Sequence, residues 1–147
     1  MLTEAGIMLA LAFILGRITV FKMPQGGSIT AGQMIPLIIF GIRHGAGPGI
    51  LVGAVYGVLD MIFGGSIYHP VQAILDYPLA YASLGLVGFF SREFLETKAI
   101  SPVLKGSFLG VFARFICHVL TGVIFFGSYA PEGQNVWAYS IIYNGTF

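Results

Sequence analysis

Long apolar runs separated by short loops constrain this chain more than any other feature. The runs comprise residues 5–21, 31–42, 47–63, 71–90, 103–126 and 136–147. A helix needs about 20 residues to cross ~30 Å of hydrocarbon. Only 9% of the residues are charged and mean hydropathy is +0.88, whereas soluble domains carry about 25% charged residues. We therefore predict one integral membrane domain over residues 1–147, an all-α bundle of six transmembrane helices.

Two of the runs fit a spanning helix imperfectly. The second is short and contains Gln33 and Pro36, so we expect it to be kinked or broken. The sixth, at a rise of about 1.5 Å per residue, is far shorter than a bilayer is thick. It is either a re-entrant helix or, as we expect, a truncated one that the sequence leaves at Phe147.

The basic residues in the loops predict the orientation, because short cytoplasmic loops carry an excess of Lys and Arg. Arg43 follows the second run, and Arg92, Lys98 and Lys105 follow the fourth, whereas the alternate loops contain only Lys22. We expect the amino terminus to be cytoplasmic. The first, third and fifth loops, which are rich in Gly, Pro and aromatic residues, then form a pocket that faces outside.

Ionisable groups within apolar runs cost several kcal/mol unless they are paired or face a cavity. The candidates are Arg17, Asp60, Asp76, Arg114 and His118. Arg17 and Asp60 lie near run ends, so we expect snorkelling or a surface contact. Arg114 is either a structural partner or a pocket residue. Asp76 has Gln72 one turn earlier and Tyr77 beside it, and we expect it to face a ligand rather than pair with Arg114 or Lys22.

The stretch RFICHVLTGVIFFGSYAPEGQNVWAYSIIYN, residues 114–144, carries polar groups directly into an aromatic loop. Arg114 and His118 are four residues apart and share one helix face. His118 alone is typical of a satisfied core histidine, but the neighbouring loop favours a pocket role. The candidates that follow it are Trp137, Tyr139, Tyr143 and Asn144.

One carboxylate among aromatic rings suits a small, flat, cationic ligand, because ring faces attract positive charge. His118, Tyr139 and Asn144 would supply directional hydrogen bonds. The residues themselves thus predict a cationic or amphipathic heteroaromatic solute.

Several motifs of enzymes and metal sites are missing from the sequence. GPGILVG, residues 47–53, lacks the Lys and Ser/Thr of a phosphate loop, and no nucleophile elbow occurs. His44 and His69 are expected in loops, without the spacing of metal ligands. We predict no catalytic residue, cofactor or metal, and we exclude ATP hydrolysis by this chain.

Small residues recur at helical spacing and predict close helix packing. The repeats are Gly6 with Ala10, then Gly49, Gly53 and Gly57, then Gly106 and Gly110. We expect internal packing for most of them. Gly6 and Ala10 lie on the terminal helix, which can offer its small face to another subunit.

Three segments together resemble one family. They are MPQGGS (23–28), HPVQAILDYPLA (69–80) and the stretch 114–144, and they resemble the ThiT family, the thiamine-specific substrate-binding (S) components of energy-coupling factor (ECF) transporters. The resemblance implies a six-helix membrane protein that captures thiamine outside the cell. It also implies association with a transmembrane coupling subunit and two cytoplasmic ATPases.

The resemblance also implies residue roles. It places the pocket residues of the family on Asp76, Tyr77, His118, Phe126, Tyr139 and Asn144, and its docking face on Gly6 and Ala10. Phe126 stands where some relatives have Trp. An aromatic residue in the first loop of some members has no counterpart among residues 26–28. Gln72 and Trp137 complete the predicted ligand-binding set. They are included because of their positions in the sequence, beside Asp76 and in the aromatic loop, and not because of the resemblance.

Other functions fit part of the pattern. An ion-coupled secondary transporter would relay protons through Asp76, Arg114 and His118. An intramembrane enzyme would act on a lipid or isoprenoid, and a structural membrane subunit would bind no small ligand.

Overall fold

The computed structural model describes residues 1–23 and 28–146. Within these ranges the helices are α1 (Leu2–Arg17), α2 (Met34–His44), α3 (Ala46–Gly64), α4 (Pro70–Thr97), α5 (Ile100–Phe125) and α6 (Val136–Gly145). Six helices in this order confirm the predicted bundle. By length and composition, α3, α4 and α5 are able to cross a membrane. Residues 24–27, within the MPQGGS motif, lie outside the described part.

The first loop contains a small β-hairpin, which the sequence analysis missed. We expected helix to residue 21, but α1 ends at Arg17, and β1 (Thr19–Lys22) pairs antiparallel with β2 (Ser28–Thr30). The residues after α1 are Ile18, Thr19 and Val20, whose β-branched side chains favour extended backbone. The apolar run therefore crosses a boundary between two kinds of secondary structure.

α2 is continuous, so the expected kink or break is wrong. Gln33 is its N-cap residue, and Pro36 lies in the first turn, where backbone N–H groups have no helical acceptor. His44 was expected in a loop but is the last residue of α2, and its Nε2 lies 2.9 Å from Glu4 Oε2. His69 does lie before a helix, as the N-cap of α4, where its ring accepts from the Val71 N–H.

α4 extends beyond the predicted run. Ser91–Thr97, which we expected as a loop, continues the helix until Lys98 adopts a left-handed conformation with φ of 54°. Arg92 and Glu96 form an i,i+4 ion pair at 2.9 Å on this turn. Charged residues end an apolar run without ending a helix.

Glycines allow α3 to pack closely against α4. A Cβ atom at Gly53 would meet the Tyr81 carbonyl, and one at Gly57 would meet the Tyr77 carbonyl. Gly110 on α5 packs in the same way against Leu84 of α4. These contacts confirm the predicted internal packing of these small residues.

Apolar side chains also cover the outside of the bundle. Large residues such as Phe63, Phe108 and Ile124 are exposed, while Phe40, Tyr56 and Leu84 are buried inside. An apolar outer surface is what contact with lipid requires, because the hydrocarbon core cannot solvate polar groups.

Candidate ligand-binding site

A cavity of about 690 Å³ lies where the first, third and fifth loops meet. Lys22 and Ser28 of the hairpin, Ser66 and Tyr68 of the α3–α4 connection, and Phe126 after α5 all line it. This grouping matches the predicted convergence of the three loops. The volume falls within the roughly 300–1,000 Å³ typical of small-molecule sites.

Asp76 is held from two sides on the wall of this cavity. Its Oδ2 accepts a hydrogen bond from Gln72 Nε2 at 2.8 Å, and its Oδ1 lies 3.0 Å from His118 Nδ1. The side chain is 16% exposed, and Gln72 is 2% exposed. The structure thus brings together the three polar residues that the sequence placed in the pocket, and it orients the carboxylate.

Arg114 fixes the tautomer of His118. Its Nε donates to His118 Nε2 at 3.2 Å. Because a guanidinium has no acceptor, Nε2 must be the accepting nitrogen, so Nδ1 carries the hydrogen and donates to Asp76. Arg114 therefore connects to Asp76 through the imidazole. Arg114 and His118 share one face, as their spacing predicted.

Asp76 and Tyr77 lie on a π-helical turn of α4. The turn spans Leu75–Leu79 and contains Pro78. Proline has no backbone N–H, so the regular ladder of i→i−4 hydrogen bonds is interrupted here. Turns of this kind are frequent at functional sites because the extra residue changes the direction of nearby side chains.

Tyr77 and Gln72 fix the α3–α4 connection at the cavity. The Tyr77 hydroxyl accepts from the Ser66 N–H at 2.7 Å. Gln72 Oε1 accepts from the Tyr68 N–H at 3.0 Å, and its Nε2 donates to the Ser66 carbonyl at 3.2 Å. Gln72 thus orients both the loop and the carboxylate of Asp76.

Aromatic rings form another part of the wall. Phe126 and Tyr68 meet edge to face with centroids 5.5 Å apart, and Tyr139 stacks with Tyr143 at 6.0 Å. All four residues line the cavity. Tyr68 begins the stretch 68–77, in which the sequence predicts half of the pocket, although it is not in the predicted set of ligand-binding residues.

Asn144 links α6 to the wall formed by α5. Its Nδ2 donates to the His118 carbonyl at 3.3 Å and to the Ser140 carbonyl at 2.8 Å. Ser140 Oγ in turn donates to the Val119 carbonyl at 2.8 Å. Asn144 also lines the cavity, so it is suited to contact a ligand.

Trp137 is not with the other predicted residues. Its side chain is 53% exposed, and it is not among the residues that line the cavity. Asn135 caps α6 by accepting from the Trp137 N–H at 2.8 Å, which places Trp137 in the first turn. Tyr139 lies two residues later, about 200° around the helix, and does line the cavity. We therefore omit Trp137 from the proposed ligand set.

Arg17 and Asp60 line the cavity and contact each other there, with the Arg17 side chain 40% exposed. Arg17 Nη2 lies 3.7 Å from Asp60 Oδ1, and Arg17 Nη1 donates to the Phe63 carbonyl at 3.1 Å. Asp60 Oδ2 accepts from the Tyr81 hydroxyl at 3.0 Å. The signal for this pair was present, since both residues are ionisable groups in apolar runs.

A buried network supports the cavity floor. Gln33 Nε2 donates to the Tyr81 hydroxyl at 2.7 Å, and the Tyr56 hydroxyl donates to Gln33 Oε1 at 3.2 Å. The Arg114 guanidinium lies 4.4 Å from the Tyr81 ring centroid. This network joins α2, α3, α4 and α5, and no spacing in the sequence indicates it.

Taken together, these groups suit binding of a charged aromatic molecule. The cavity offers an oriented carboxylate, an imidazole with a defined tautomer, an amide and several aromatic rings. In the described part of the chain, no group of three or more His, Cys, Asp or Glu side chains is placed to hold a metal ion.

Known proteins resemble this chain over most of its length. The model of the thiamine transporter protein family (Thia_YuaJ) matches residues 2–147. The thiamine transporter ThiT of Bacillus subtilis is 37% identical over 156 aligned positions, which cover 99% of this chain and 81% of that protein. The thiamine transporter ThiT of Lacticaseibacillus paracasei is 39% identical over 123 positions, covering 76% and 61%.

A solved structure agrees with the fold. ThiT from Listeria monocytogenes superposes with a TM-score of 0.81 at 30% sequence identity. The superposition covers 97% of this chain and 81% of the other.

Proposed function

Because this chain belongs to the thiamine transporter protein family (Thia_YuaJ), we propose that it is the thiamine-binding membrane subunit of an ECF-type vitamin importer. Family membership confirms the resemblance that the sequence motifs indicated. The observation that carries the proposal is the Asp76 carboxylate, held by Gln72 and His118 on the wall of an aromatic-lined cavity.

The chemistry of thiamine matches this wall. Thiamine joins an aminopyrimidine, which has hydrogen-bond donors and acceptors, to a thiazolium ring with a permanent positive charge. A carboxylate attracts the cation or accepts from the amino group, and aromatic faces stabilise a flat cation. Asp76 has this role in our proposal, and the rings of Phe126 and Tyr139 contact the ligand.

The remaining residues of the set have distinct roles. Asn144 hydrogen-bonds the ligand, and His118 and Tyr77 contribute their rings, since both nitrogens of His118 are engaged by Asp76 and Arg114. Gln72 is almost fully buried and acts by positioning Asp76.

We place the cavity at the outer face and the amino terminus in the cytoplasm. The support is the separation of charges along the bundle. Arg43, Arg92 and Lys98 lie in or beside the loops that do not contribute to the cavity. Excess basic residues in short loops favour the cytoplasmic side.

Release of thiamine inward requires other subunits in this proposal. They are a transmembrane coupling subunit and two cytoplasmic ATPases. ATP hydrolysis is assigned to the ATPases because this sequence contains no phosphate loop. Gly6 and Ala10 on α1 are the proposed docking face. Both are exposed, and a Cβ atom at Gly6 would have no other atom within 4 Å. Small residues let a partner helix approach closely.

Uptake into liposomes tests this division of labour. We expect no uptake of labelled thiamine by this protein alone under a pH gradient, and ATP-dependent uptake once the coupling subunit and ATPases are present. A double Gly6→Leu, Ala10→Leu variant should keep thiamine binding and lose uptake, because bulky side chains would separate the docked helices.

Leu11→Phe on the same helix is the matched control and should support normal uptake, since Leu11 is already large and exposed. Proton-driven uptake by the protein alone would instead establish a secondary transporter. Normal uptake by the double variant would remove Gly6 and Ala10 from the docking face.

A further inference from the structure

The guanidinium of Arg114 is held at His118 without a carboxylate of its own. Among the residues that the structure describes, none forms a salt bridge with Arg114. Its Nε donates to His118 Nε2 at 3.2 Å, and its Cζ lies 4.4 Å from the centroid of the Tyr81 ring. One hydrogen bond does little to fix a long, flexible side chain. The position of Arg114 therefore depends on the face of the Tyr81 ring.

The Tyr81 ring is itself fixed by its surroundings. Tyr81 is 3% exposed, and its ring meets that of Tyr56 edge to face with centroids 4.7 Å apart. Gln33 Nε2 donates to its hydroxyl at 2.7 Å, and the hydroxyl donates its one hydrogen to Asp60 Oδ2 at 3.0 Å. Contacts from three helices thus determine which way the ring face points.

Arg114 in turn keeps the second nitrogen of His118 free of hydrogen. A guanidinium can only donate, so Nε2 must use its lone pair to accept. While this bond is in place, the imidazole is neutral, with its one hydrogen on Nδ1 and directed at Asp76 Oδ1. Without it, Nε2 could take up a proton. An imidazolium beside Asp76 would offset the negative charge that a cationic ligand needs.

The charges around His118 single out Arg114 as the one that acts on Nε2. Asp76 on α4 contacts the opposite nitrogen, Nδ1. The other charged residues of the cavity lining come from different elements, and α6 adds two phenols: Arg17, Lys22, Asp60, Tyr139 and Tyr143. Arg17 and Asp60 pair with each other.

We propose that Tyr81 is a positioning residue of the ligand site, whose ring face keeps Arg114 on His118 Nε2 and so leaves the charge of Asp76 available to a cationic ligand. The inference rests on the proposed function and adds a residue to it. Tyr81 is too buried to offer its own ring to a ligand, so its effect passes through Arg114. Ring faces attract cations most strongly where water is excluded.

NMR of protein labelled with ¹⁵N-histidine, in detergent and without ligand, reports whether Nε2 carries hydrogen. The signal that disappears in His118→Asn identifies His118. At about pH 6, where an ordinary histidine is mostly protonated, we expect Nε2 of the unmodified protein to lack hydrogen. Tyr81→Met fills the site without a ring and should leave Nε2 protonated. Tyr81→Phe retains the ring and should behave as the unmodified protein does.

Calorimetric titration with thiamine measures the consequence for binding. At about pH 6 we expect Tyr81→Met to weaken binding roughly 3- to 30-fold, the affinity equivalent of one cation–π contact. The loss should shrink at about pH 8, where His118 is neutral in every variant. Arg114→Met should protonate Nε2 in the same way, and adding Tyr81→Met to it should weaken binding no further, because both changes act through one contact.

An Nε2 without hydrogen at about pH 6 in either Tyr81→Met or Arg114→Met would overturn the proposal. A loss of affinity that is equal at both pH values, or additive in the double variant, would show that Tyr81 is only structural. Arg114→Met leaves the hydrogen bonds of Tyr81 in place, so it provides the test if Tyr81→Met does not fold. Because the NMR measurement needs no ligand, failure of the unmodified protein to bind thiamine would refute the proposed function separately.

Discussion

Replacing Asp76 with asparagine should lower the affinity for thiamine by about 100-fold. The substitution keeps the size of the side chain and leaves an oxygen to accept from His118, while the new amide nitrogen replaces the oxygen that accepts from Gln72 Nε2. It removes the negative charge from a mostly buried position. Losing one member of a buried charge pair costs roughly 2–5 kcal/mol, and each 1.4 kcal/mol is about tenfold in affinity. Calorimetric titration of the purified variant measures the change directly.

Glu93→Gln is the matched control, because it makes the same chemical change at a carboxylate outside the cavity lining. It should bind thiamine as the unmodified protein does. Near-normal affinity in Asp76→Asn would refute the role of Asp76 as counter-ion.

Replacing Gly53 with valine should prevent α3 from packing on α4. The added Cβ would overlap the Tyr81 carbonyl oxygen and lie 3.0 Å from Ala82 Cα. These are backbone atoms of a packed helix, so no side-chain rotation relieves the clash. Overpacking typically costs about 1–3 kcal/mol and sometimes more, and the upper end is expected here. Size-exclusion chromatography and thermal unfolding in detergent should show a large loss of folded, stable protein.

Gly47→Val provides the comparison on the same helix, since no atom lies within 4 Å of a Cβ built at Gly47. This variant should unfold near the temperature of the unmodified protein. Equal unfolding temperatures for the two variants would contradict the close contact of α3 with α4.

Apolar patterning predicted the number and order of the helices, but not where all of them end. Hydropathy does not distinguish a strand from a helix, so the run that contains α1 concealed β1 (Thr19–Lys22). The fourth apolar run ends where charged residues begin, whereas the helix α4 continues through Ser91–Thr97. Helix ends depend on backbone capping and tertiary contacts, and the extent of an apolar run contains no information about either.

Local spacing predicted the part of the site that lies on single helices. Gln72 with Asp76, and Arg114 with His118, are four residues apart and do meet. The contact between Asp76 and His118 joins two helices, and the sequence analysis placed both residues in one pocket without predicting that they meet.

The cavity floor could not be predicted in this way. Gln33, Tyr56 and Tyr81 come from three helices, and their contacts depend on how those helices are rotated. Trp137 shows the same limit on a smaller scale. Tyr139, two residues after Trp137, lines the cavity. Which of the two aromatic residues reaches the cavity depends on where α6 begins.

Calorimetric titration of the purified protein with thiamine, in detergent and without any partner, tests the central claim most directly. Calorimetry is preferable to tryptophan fluorescence, because Trp137 lies outside the cavity lining. A thiamine-capturing subunit should give saturable binding of one thiamine per chain at low-micromolar concentration or below. Absence of saturable binding would contradict the assignment of this cavity to thiamine.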